Sequence, residues 1–267
     1  MFERQSRIGS WTPQGILLFF AEPPPTQYDL RFMVGSVPVR VHPMFWLVTV
    51  LLGATGQTPI NVLIWVIAVF VSILVHEFGH VFAFRYYGIH SHVVLQAMGG
   101  LAVPDMMLST RRRQDWISEV VIAFAGPAAG FLFAALVCVA VIAAGGQIRE
   151  ARVFGWMPFP YADGIHSPEL FQLVMDLLQI NIFWGLINLL PIFPLDGGRI
   201  SAAVLSATNP QDGRRQAFVL SVVVAIGMAI LVYAKLQDTY MAIFFAFMAY
   251  TNYQFLQAMG GGRGGYR

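Results

Sequence analysis

The stretch INVLIWVIAVFVSILVHEFGHVFAF, residues 60–84, decides the fold class of this chain. Its apolar run is longer than the roughly 20 residues that a helix needs to cross a bilayer. The run nevertheless contains His76, Glu77 and His80. Residues four apart share one face of a helix, so the two histidines can bind one metal ion together. Ionisable groups are costly inside a membrane and mark functional sites there, so the stretch predicts chemistry within the bilayer.

The composition of the whole chain is that of a polytopic membrane protein. Hydrophobic residues make up 57% and charged residues 11% of the 267 residues, whereas soluble domains average roughly 45–50% and about 25%. We therefore expect an all-α polytopic membrane protein with about six transmembrane helices. The first expected span is short for a membrane helix. The six spans are expected at 43–56, 60–84, 117–145, 170–190, 216–234 and 239–258.

Two stretches between the spans predict strands. Residues 36–42 alternate valines with Pro38, Arg40 and His42, and the proline restricts this strand to a sheet edge or places it at the strand start. Residues 89–103 contain β-branched residues and lie next to the span that carries the histidines. Backbone that is not helical at membrane depth must be buried or line a cavity. We expect a small membrane-associated β segment here.

Three segments follow from these patterns. Residues 1–42 form an N-terminal cytoplasmic or interfacial segment, residues 43–258 form the membrane domain, and residues 259–267 form a Gly-rich tail, of which we expect residues 260–267 to be disordered. We expect no cleaved leader, because the first apolar run is too short and ends at a proline triplet. The aromatic-rich loop at 146–168 fits an interfacial lid and an aromatic-belt segment equally well.

The basic residues predict the orientation in the membrane. With a cytoplasmic N-terminus, thirteen of the 16 Lys and Arg residues lie on or near the cytoplasmic side, as the positive-inside rule requires. Both termini are then expected to be cytoplasmic. His76 would lie roughly 13 Å along its helix from the cytoplasmic flank at Arg85. The residues that fall outside are Arg149, Arg152 and Lys235.

A second polar element, NLLPIFPLDGGR at residues 188–199, follows the fourth span. Pro191 and Pro194 break or distort a helix, because each lacks an N–H and clashes with the preceding turn. The glycines that follow allow a tight backbone, so Asp196 would be presented at a fixed angle. A catalytic zinc site needs three protein ligands and one open position. Asp196 is the best-placed third ligand beside the two histidines.

The residues alone leave alternatives open. Asp196 can instead cap the helix expected at 200–207, and the histidine pair can be coincidental. Asp176 and Glu119 are weaker candidates for the third ligand: Asp176 has no helix breaker near it, and Glu119 opens a span, where an acid favours the helix N-terminus. The spacing Gly126-x-x-x-Gly130 predicts a helix-packing surface.

The motifs HEFGH at 76–80 and NLLPIFPLDGG at 188–198 together resemble the site-2 protease family of intramembrane zinc metalloproteases. Lesser matches are Gly88, Gly99-Gly100 and Gly126-Pro127, and the resemblance covers roughly residues 35–200. The residues to which it assigns roles are His76, His80 and Asp196 as ligands of Zn2+, Glu77 as catalytic base, and Asn188 and Asn181 as substrate- or oxyanion-binding residues. The resemblance implies that the two asparagines, seven residues apart, share a helix face near the scissile carbonyl. It also implies that residues 89–103 help to present the substrate.

The implied activity of the domain at 43–258 is hydrolysis of peptide bonds in or near transmembrane segments of membrane proteins, that is, regulated intramembrane proteolysis. The expected partners are a transmembrane protein substrate and the lipid bilayer, with no nucleic acid; a homo-oligomer or a regulatory membrane partner stays open. The expected location is the cell (inner) membrane of a prokaryote.

Two departures from the family pattern stand out. Many relatives carry Asn where this chain has Gly130, and the chain contains neither a PDZ nor a CBS domain, so we expect a minimal form. The alternatives are a catalytically inactive membrane scaffold, a metal-binding transporter-like protein, and a membrane zincin whose third ligand is a Glu on a following helix. The polar residues concentrate in two motifs, which argues against a transport path. Glu77 is present, which argues against an inactive scaffold.

Overall fold

The computed structural model describes residues 22–54, 57–105, 115–153, 155 and 157–261. Its helices are α1 Pro43–Gly53, α2 Pro59–Tyr86, α3 Trp116–Ala143, α4 Pro168–Asn188, α5 Asp196–Thr208, α6 Gly213–Leu236 and α7 Thr239–Gly261. Its strands are β1 Leu30–Val34, β2 Val37–Val41, β3 Ser91–Gln96, β4 Gly99–Pro104, β5 Gln147–Val153 and β6 Met157–Asp163. Expectations for residues 1–21, Thr55 and Gly56, residues 106–114, Phe154, Trp156 and the tail from 262 fall outside the described residues and stay predictions.

Four helices, α2, α3, α4 and α6, are long and apolar enough to cross a membrane. They coincide with four of the six expected spans, which confirms the polytopic, mostly helical class. Helix α1 has 11 residues, so its length of roughly 16 Å is about half of a hydrocarbon core of about 30 Å. Helix α7 is long enough, but Thr251-Asn252-Tyr253-Gln254 interrupt its apolar residues. The count of six spans is therefore not confirmed.

A four-stranded sheet in the order β1-β2-β3-β4 packs against α2. Strands β1 and β2 are antiparallel, β2 and β3 are parallel, and β3 and β4 are antiparallel. The buried valines of β2 and β3 form one core with residues of α2, including Ile73, Val81 and Phe84. The expected β segment is thus present, and its largest packing partner is the helix that carries the histidines.

Strand β2 is internal, so of the two positions expected for Pro38, a sheet edge or a strand start, the structure shows the strand start. Pro38 is the second residue of β2 and lies opposite Met33 of β1. The pairing of β2 with β3 begins only at Val39. The missing N–H therefore falls outside the β2–β3 ladder, where it interrupts no hydrogen bond of that pair. The strand-start alternative describes the observed position.

The loop at 146–168 forms an antiparallel hairpin of β5 and β6, which the sequence analysis did not predict. Phe159 is buried, and its ring stacks on Phe183 of α4 at 5.4 Å between centroids and 5° between planes. Phe159 and Ala162 share a core with side chains of α3 and α4, such as Ala134 and Val174. The hairpin therefore packs against both helices, after the end of α3 and before the start of α4.

The helix break that the two prolines predict is present between α4 and α5, at residues 189–195. Helix α5 begins at Asp196 immediately after this turn. A Cβ atom added to Gly197 would collide with the carbonyl oxygen of Leu189, and one added to Gly198 would collide with the backbone nitrogen of Phe193. Both glycines thus let the turn fold back on the start of α5, which buries Asp196 against α2.

Candidate metal centre

His76 and His80 lie one turn apart on α2, and both side chains are buried. Their ring centroids are 5.0 Å apart, and their Nε2 atoms are separated by 3.3 Å. The spacing of four residues brings the two imidazoles to one face of the helix, as the sequence predicted. Each therefore presents the same ring nitrogen to a common point.

Asp196 brings a third donor to this point from the start of α5. Its Oδ2 lies 3.1 Å from Nε2 of His76, and its Oδ1 lies 3.4 Å from Nε2 of His80. Zinc ligands bind at about 2.0–2.2 Å, so two ligands of a tetrahedral ion are separated by roughly 3.3 Å. The three side chains therefore have the donor types and the spacing that a zinc ion requires.

Helix α3 fixes the orientation of the His80 ring. Nδ1 of His80 lies 2.7 Å from the carbonyl oxygen of Ile122. A carbonyl can only accept a hydrogen bond, so Nδ1 carries a proton, and in the neutral ring Nε2 then keeps its lone pair. Such a hydrogen bond to the far nitrogen orients a metal-binding histidine and selects its tautomer. Nε2 of His80 is thus prepared for a metal ion.

Asp196 does not occupy the cap position of α5, which Leu195 takes. The Asp196 carboxylate instead contacts the two imidazoles, and Nη1 of Arg199 lies 3.9 Å from Oδ1. The competing acids lie elsewhere: Asp176 accepts a hydrogen bond from Gln172 at 3.4 Å, and Glu119 lines a cavity beside Trp116. Among the described residues, the three-membered metal-type cluster contains neither of them.

Glu77 is buried beside the two histidines, against strand β4. The backbone N–H of Ala102 donates a hydrogen bond to its carboxylate. A Cβ atom added to Gly100 would collide with Cγ and Oε1 of Glu77. The carboxylate is therefore enclosed by the backbone of an outer strand of the sheet.

The two asparagines differ in their contacts. Asn181 donates from Nδ2 to the hydroxyl of Ser72 and to the carbonyl of Leu177, both at 2.8 Å. Asn188 donates from Nδ2 to the carbonyl of Trp184 at 3.0 Å. The expectation that they share a face assumed a regular α-helix, but a π-helical turn, Ile180–Trp184, lies between them. An added residue rotates the following side chains by about 100°.

Several groups around the site carry no signal in the sequence. The carbonyl of Ile122 and the N–H of Ala102 are backbone groups, which every residue possesses. Gly126 lies against the imidazoles of His76 and His80, where an added Cβ would stand 2.7 Å from Nε2 of His76. The sequence predicted a helix-packing surface at this glycine and made it one of the lesser family matches. The spacing of Gly126 and Gly130 predicts that another helix approaches α3 closely. It does not predict that the imidazoles of His76 and His80 lie at the point of contact.

Residues 64–233 match the family described as Peptidase family M50. A zinc metalloprotease of Methanocaldococcus jannaschii is 28% identical over 185 residues, which make up 67% of this chain and 46% of that protein. This chain therefore spans about half the length of that relative. The structure of a site-2 protease from Methanocaldococcus jannaschii matches with a TM-score of 0.52 and 22% sequence identity, covering 85% of this chain and 94% of the other. At this identity the likeness shows a shared fold.

Proposed function

The chain belongs to peptidase family M50, as its resemblance to site-2 proteases predicted, and we propose that it is a zinc metalloprotease that cleaves membrane proteins in or near their transmembrane segments. The observation that carries the proposal is the convergence of three side chains: the Nε2 atoms of His76 and His80 are 3.3 Å apart, and each lies 3.1 to 3.4 Å from one carboxylate oxygen of Asp196. The three side chains are buried, and the histidines belong to a helix long enough to span a membrane. Such a site could act on a peptide bond at membrane depth.

We propose that these three residues bind Zn2+. Two imidazole nitrogens and one carboxylate oxygen form a donor set typical of catalytic zinc sites, which leave one position open. Zinc in such a site supplies Lewis acidity, which activates water as a nucleophile and polarises a carbonyl group. The Ile122 carbonyl holds His80 with Nε2 directed toward the other donors. This orientation keeps the donor set assembled while substrate enters and leaves.

Glu77 is the proposed general base. It follows His76 directly on α2, and the N–H of Ala102 holds its carboxylate in place. From this position Glu77 would accept a proton from the attacking water and later return it to the amine that leaves. Asn188 is the proposed oxyanion-binding residue, because its amide has a second hydrogen beside the one donated to Trp184. Asn181 uses both hydrogens, so a supporting role between helices fits it better.

Strand β4 is the proposed docking edge for the substrate. Among the described strands, β4 pairs with β3 alone, so one of its edges carries no strand partner. An extended peptide can add to such an edge through main-chain hydrogen bonds. A transmembrane helix hides its peptide bonds in its own hydrogen bonds and must unwind before cleavage. Because Gly100 of β4 adjoins Glu77, an unwound segment paired here would lie beside the proposed base.

The proposed location is the inner membrane of a prokaryote, with both termini cytoplasmic. The four candidate spans support an integral membrane protein, and the distribution of arginines supports the orientation. The lipid bilayer and a transmembrane protein substrate are the proposed partners. A homo-oligomer or a regulatory membrane protein would be a further partner.

A reconstituted cleavage assay tests the proposed function. The purified full chain is placed in liposomes with fluorescently tagged single-span proteins, and cleavage is followed by gel and mass spectrometry. We expect cleavage within or next to the spanning segment, its loss on zinc chelation and its recovery on addition of Zn2+. A chain that binds zinc but cleaves none of a broad set of single-span proteins would indicate the inactive-scaffold alternative.

A further inference from the structure

Helix α3 packs very closely on α2 at the level of the candidate metal centre. Gly79 of α2 faces the backbone of Ala125, and a Cβ atom added to Gly79 would collide with the carbonyl oxygen of Ala125. Small residues at such a crossing let two helix backbones approach. The part of α3 around Ala125 therefore lies next to the histidines of α2.

Gly126 is the residue of α3 that meets both imidazoles. A Cβ atom added there would stand 2.7 Å from Nε2 of His76 and 2.5 Å from Cε1 of His80, and would also collide with Nε2 of His80. Nε2 is the atom that each histidine directs toward Asp196. A methyl group at this position would thus occupy the space beside the two nitrogen donors.

Gly130, one turn further along α3, provides a contrast within the same motif. A Cβ atom added to Gly130 would have Oδ1 of Asn181 as its nearest neighbour, at 3.4 Å, which is about van der Waals distance. The space at Gly130 can therefore hold a methyl group with little movement, whereas the space at Gly126 cannot. The two glycines share a helix face but differ in what they approach.

Ile122 adds an independent contact from the same side of α3. Its carbonyl oxygen accepts the Nδ1 proton of His80 at 2.7 Å, and it lies one helical turn before Gly126. One turn of α3 therefore contacts the His80 ring twice. The Ile122 carbonyl accepts the hydrogen bond from Nδ1, and Gly126 lies beside Nε2. The ring has its direction set at both ends by the same helix.

We propose that Gly126 is a positioning residue of the metal site. Its lack of a side chain leaves the space in which the nitrogen donors of His76 and His80 meet the metal ion, while the Ile122 carbonyl holds the His80 ring. The inference rests on the proposed zinc site, and it assigns to α3 one wall of that site. A side chain at position 126 would push the imidazoles away from Asp196 or fill the volume that the ion needs.

Metal binding by matched glycine variants tests the proposal. Full-length wild type, Gly126→Ala, Gly130→Ala and Gly227→Ala are purified in detergent, stripped of metal and titrated with Zn2+ and Co2+. Gly227 of α6 has no neighbour within 4 Å of an added Cβ, so its variant controls for a glycine-to-alanine change in a spanning helix. We expect the affinity of Gly126→Ala for Zn2+ and Co2+ to be 10- to 100-fold lower than that of wild type, as for other groups that orient metal ligands. The other two variants should bind like wild type.

The outcomes separate the inference from the proposed function. If wild type binds metal and Gly126→Ala binds it equally tightly, the positioning role is wrong and the zinc site stands. If wild type itself binds no Zn2+ or Co2+, both ideas are overturned. A loss of affinity in Gly130→Ala equal to that in Gly126→Ala would also overturn the inference, because it would point to general helix packing.

A control experiment tests whether a loss of stability in Gly126→Ala comes from its contact with the two imidazoles. If Gly126→Ala lowers the melting temperature of the metal-free protein, the same change is made together with His76→Ala and His80→Ala. The steric conflict is with these two rings, so the triple variant should melt like the double histidine variant. A triple variant that stays destabilised would show that the added methyl group collides with something else, and the inference would fail.

Discussion

The backbone of Gly100 lies directly against the carboxylate of Glu77, with no space for a side chain between strand β4 and helix α2. Ala102, two residues further along the strand, donates its backbone N–H to the same carboxylate. Strand β4 therefore supplies both the steric boundary and a hydrogen-bonding partner of the proposed base.

Gly100→Ala should lower the rate of cleavage while leaving metal binding intact. The added Cβ would collide with Cγ and Oε1 of Glu77 and move either the carboxylate or the strand, and small misplacements of catalytic groups can cost about 100-fold. The measurement is the cleavage rate of a liposome-embedded reporter, with the zinc content of the same sample. Gly227→Ala serves as the matched control. Equal cleavage rates for Gly100→Ala and Gly227→Ala would show that the contact of Gly100 with Glu77 does not affect cleavage.

Glu77→Gln should abolish most cleavage and retain zinc. The amide is nearly isosteric with the carboxylate but cannot accept the proton, and general base catalysis contributes roughly 10²- to 10⁴-fold. Rates and bound zinc are measured on the same preparations. Glu119→Gln, an exposed acid at the start of α3, should cleave at the wild-type rate. Wild-type turnover by Glu77→Gln would assign the base to another group.

Asp196→Ala should lose zinc. The variant removes one of three donors and leaves two buried imidazoles, and a catalytic zinc site normally keeps three protein ligands. Metal content after dialysis against a weak chelator gives the readout. Asp176→Ala, which removes a carboxylate of α4 outside the cluster, is the control. Full zinc occupancy and turnover in Asp196→Ala would leave this residue without a role as ligand.

The pair of Asn181 and Ser72 should stabilise the packing of α4 on α2. Asn181 donates to the Ser72 hydroxyl at 2.8 Å, and both residues are buried. Interhelical hydrogen bonds in membrane proteins are worth about 0.6 kcal/mol on average and up to about 1.7 kcal/mol. A double-mutant cycle with Asn181→Ala and Ser72→Ala should give a coupling in this range, measured by unfolding in mixed micelles. Strictly additive effects would show that the bond does not contribute.

Asp29 should make the sheet sensitive to acid. Its side chain is fully buried, which alone favours the neutral acid, but hydrogen bonds from Thr26 and Arg40 outweigh burial and hold its pKa well below the usual value. Since the folded pKa is lower than the unfolded value of about 3.9, the stabilisation is complete above that pH. It is lost as the pH falls toward the folded pKa.

The expected result is a melting temperature that falls more steeply below about pH 4 in wild type than in Asp29→Asn. Melting is followed in detergent across the acidic range. Asp163→Asn, which removes the ion pair with the largely exposed Arg149 on the β5–β6 hairpin, should keep the wild-type slope. An identical slope in Asp29→Asn would mean that other carboxyl groups cause the acid sensitivity.

The sequence was most informative where one-dimensional spacing determines the geometry. The i, i+4 histidines had to share a face of α2, and the two prolines had to interrupt the helix before Asp196. The lengths of the apolar runs were enough to locate α2, α3, α4 and α6, because a spanning helix is recognised mainly by its number of consecutive apolar residues. The spacing of Asn181 and Asn188 is less informative, since nothing in the local sequence specifies the π turn between them.

Features built from backbone contacts could not be predicted. The carbonyl of Ile122 and the N–H of Ala102 depend on where helices and strands pack, and no residue type marks them. The β5–β6 hairpin was also missed, because Pro158 and Pro160 are rare in strands. They occur here in a two-stranded ribbon, where a proline can face the unpaired edge. Strand β1 has mostly exposed residues and lacks the alternation that predicts a strand.

The parallel pairing of β2 with β3 has a consequence for membrane insertion. These strands are neighbours in one sheet, while α1 and α2 lie between them in the chain. The chain that leaves β2 must therefore come back to the same face of the bilayer, whether or not the short α1 crosses it. Helices α1 and α2 form a loop closed by main-chain hydrogen bonds. If substitutions moved arginines to the other side of the membrane, the segment from β2 to β3 could therefore reverse its orientation only as one unit.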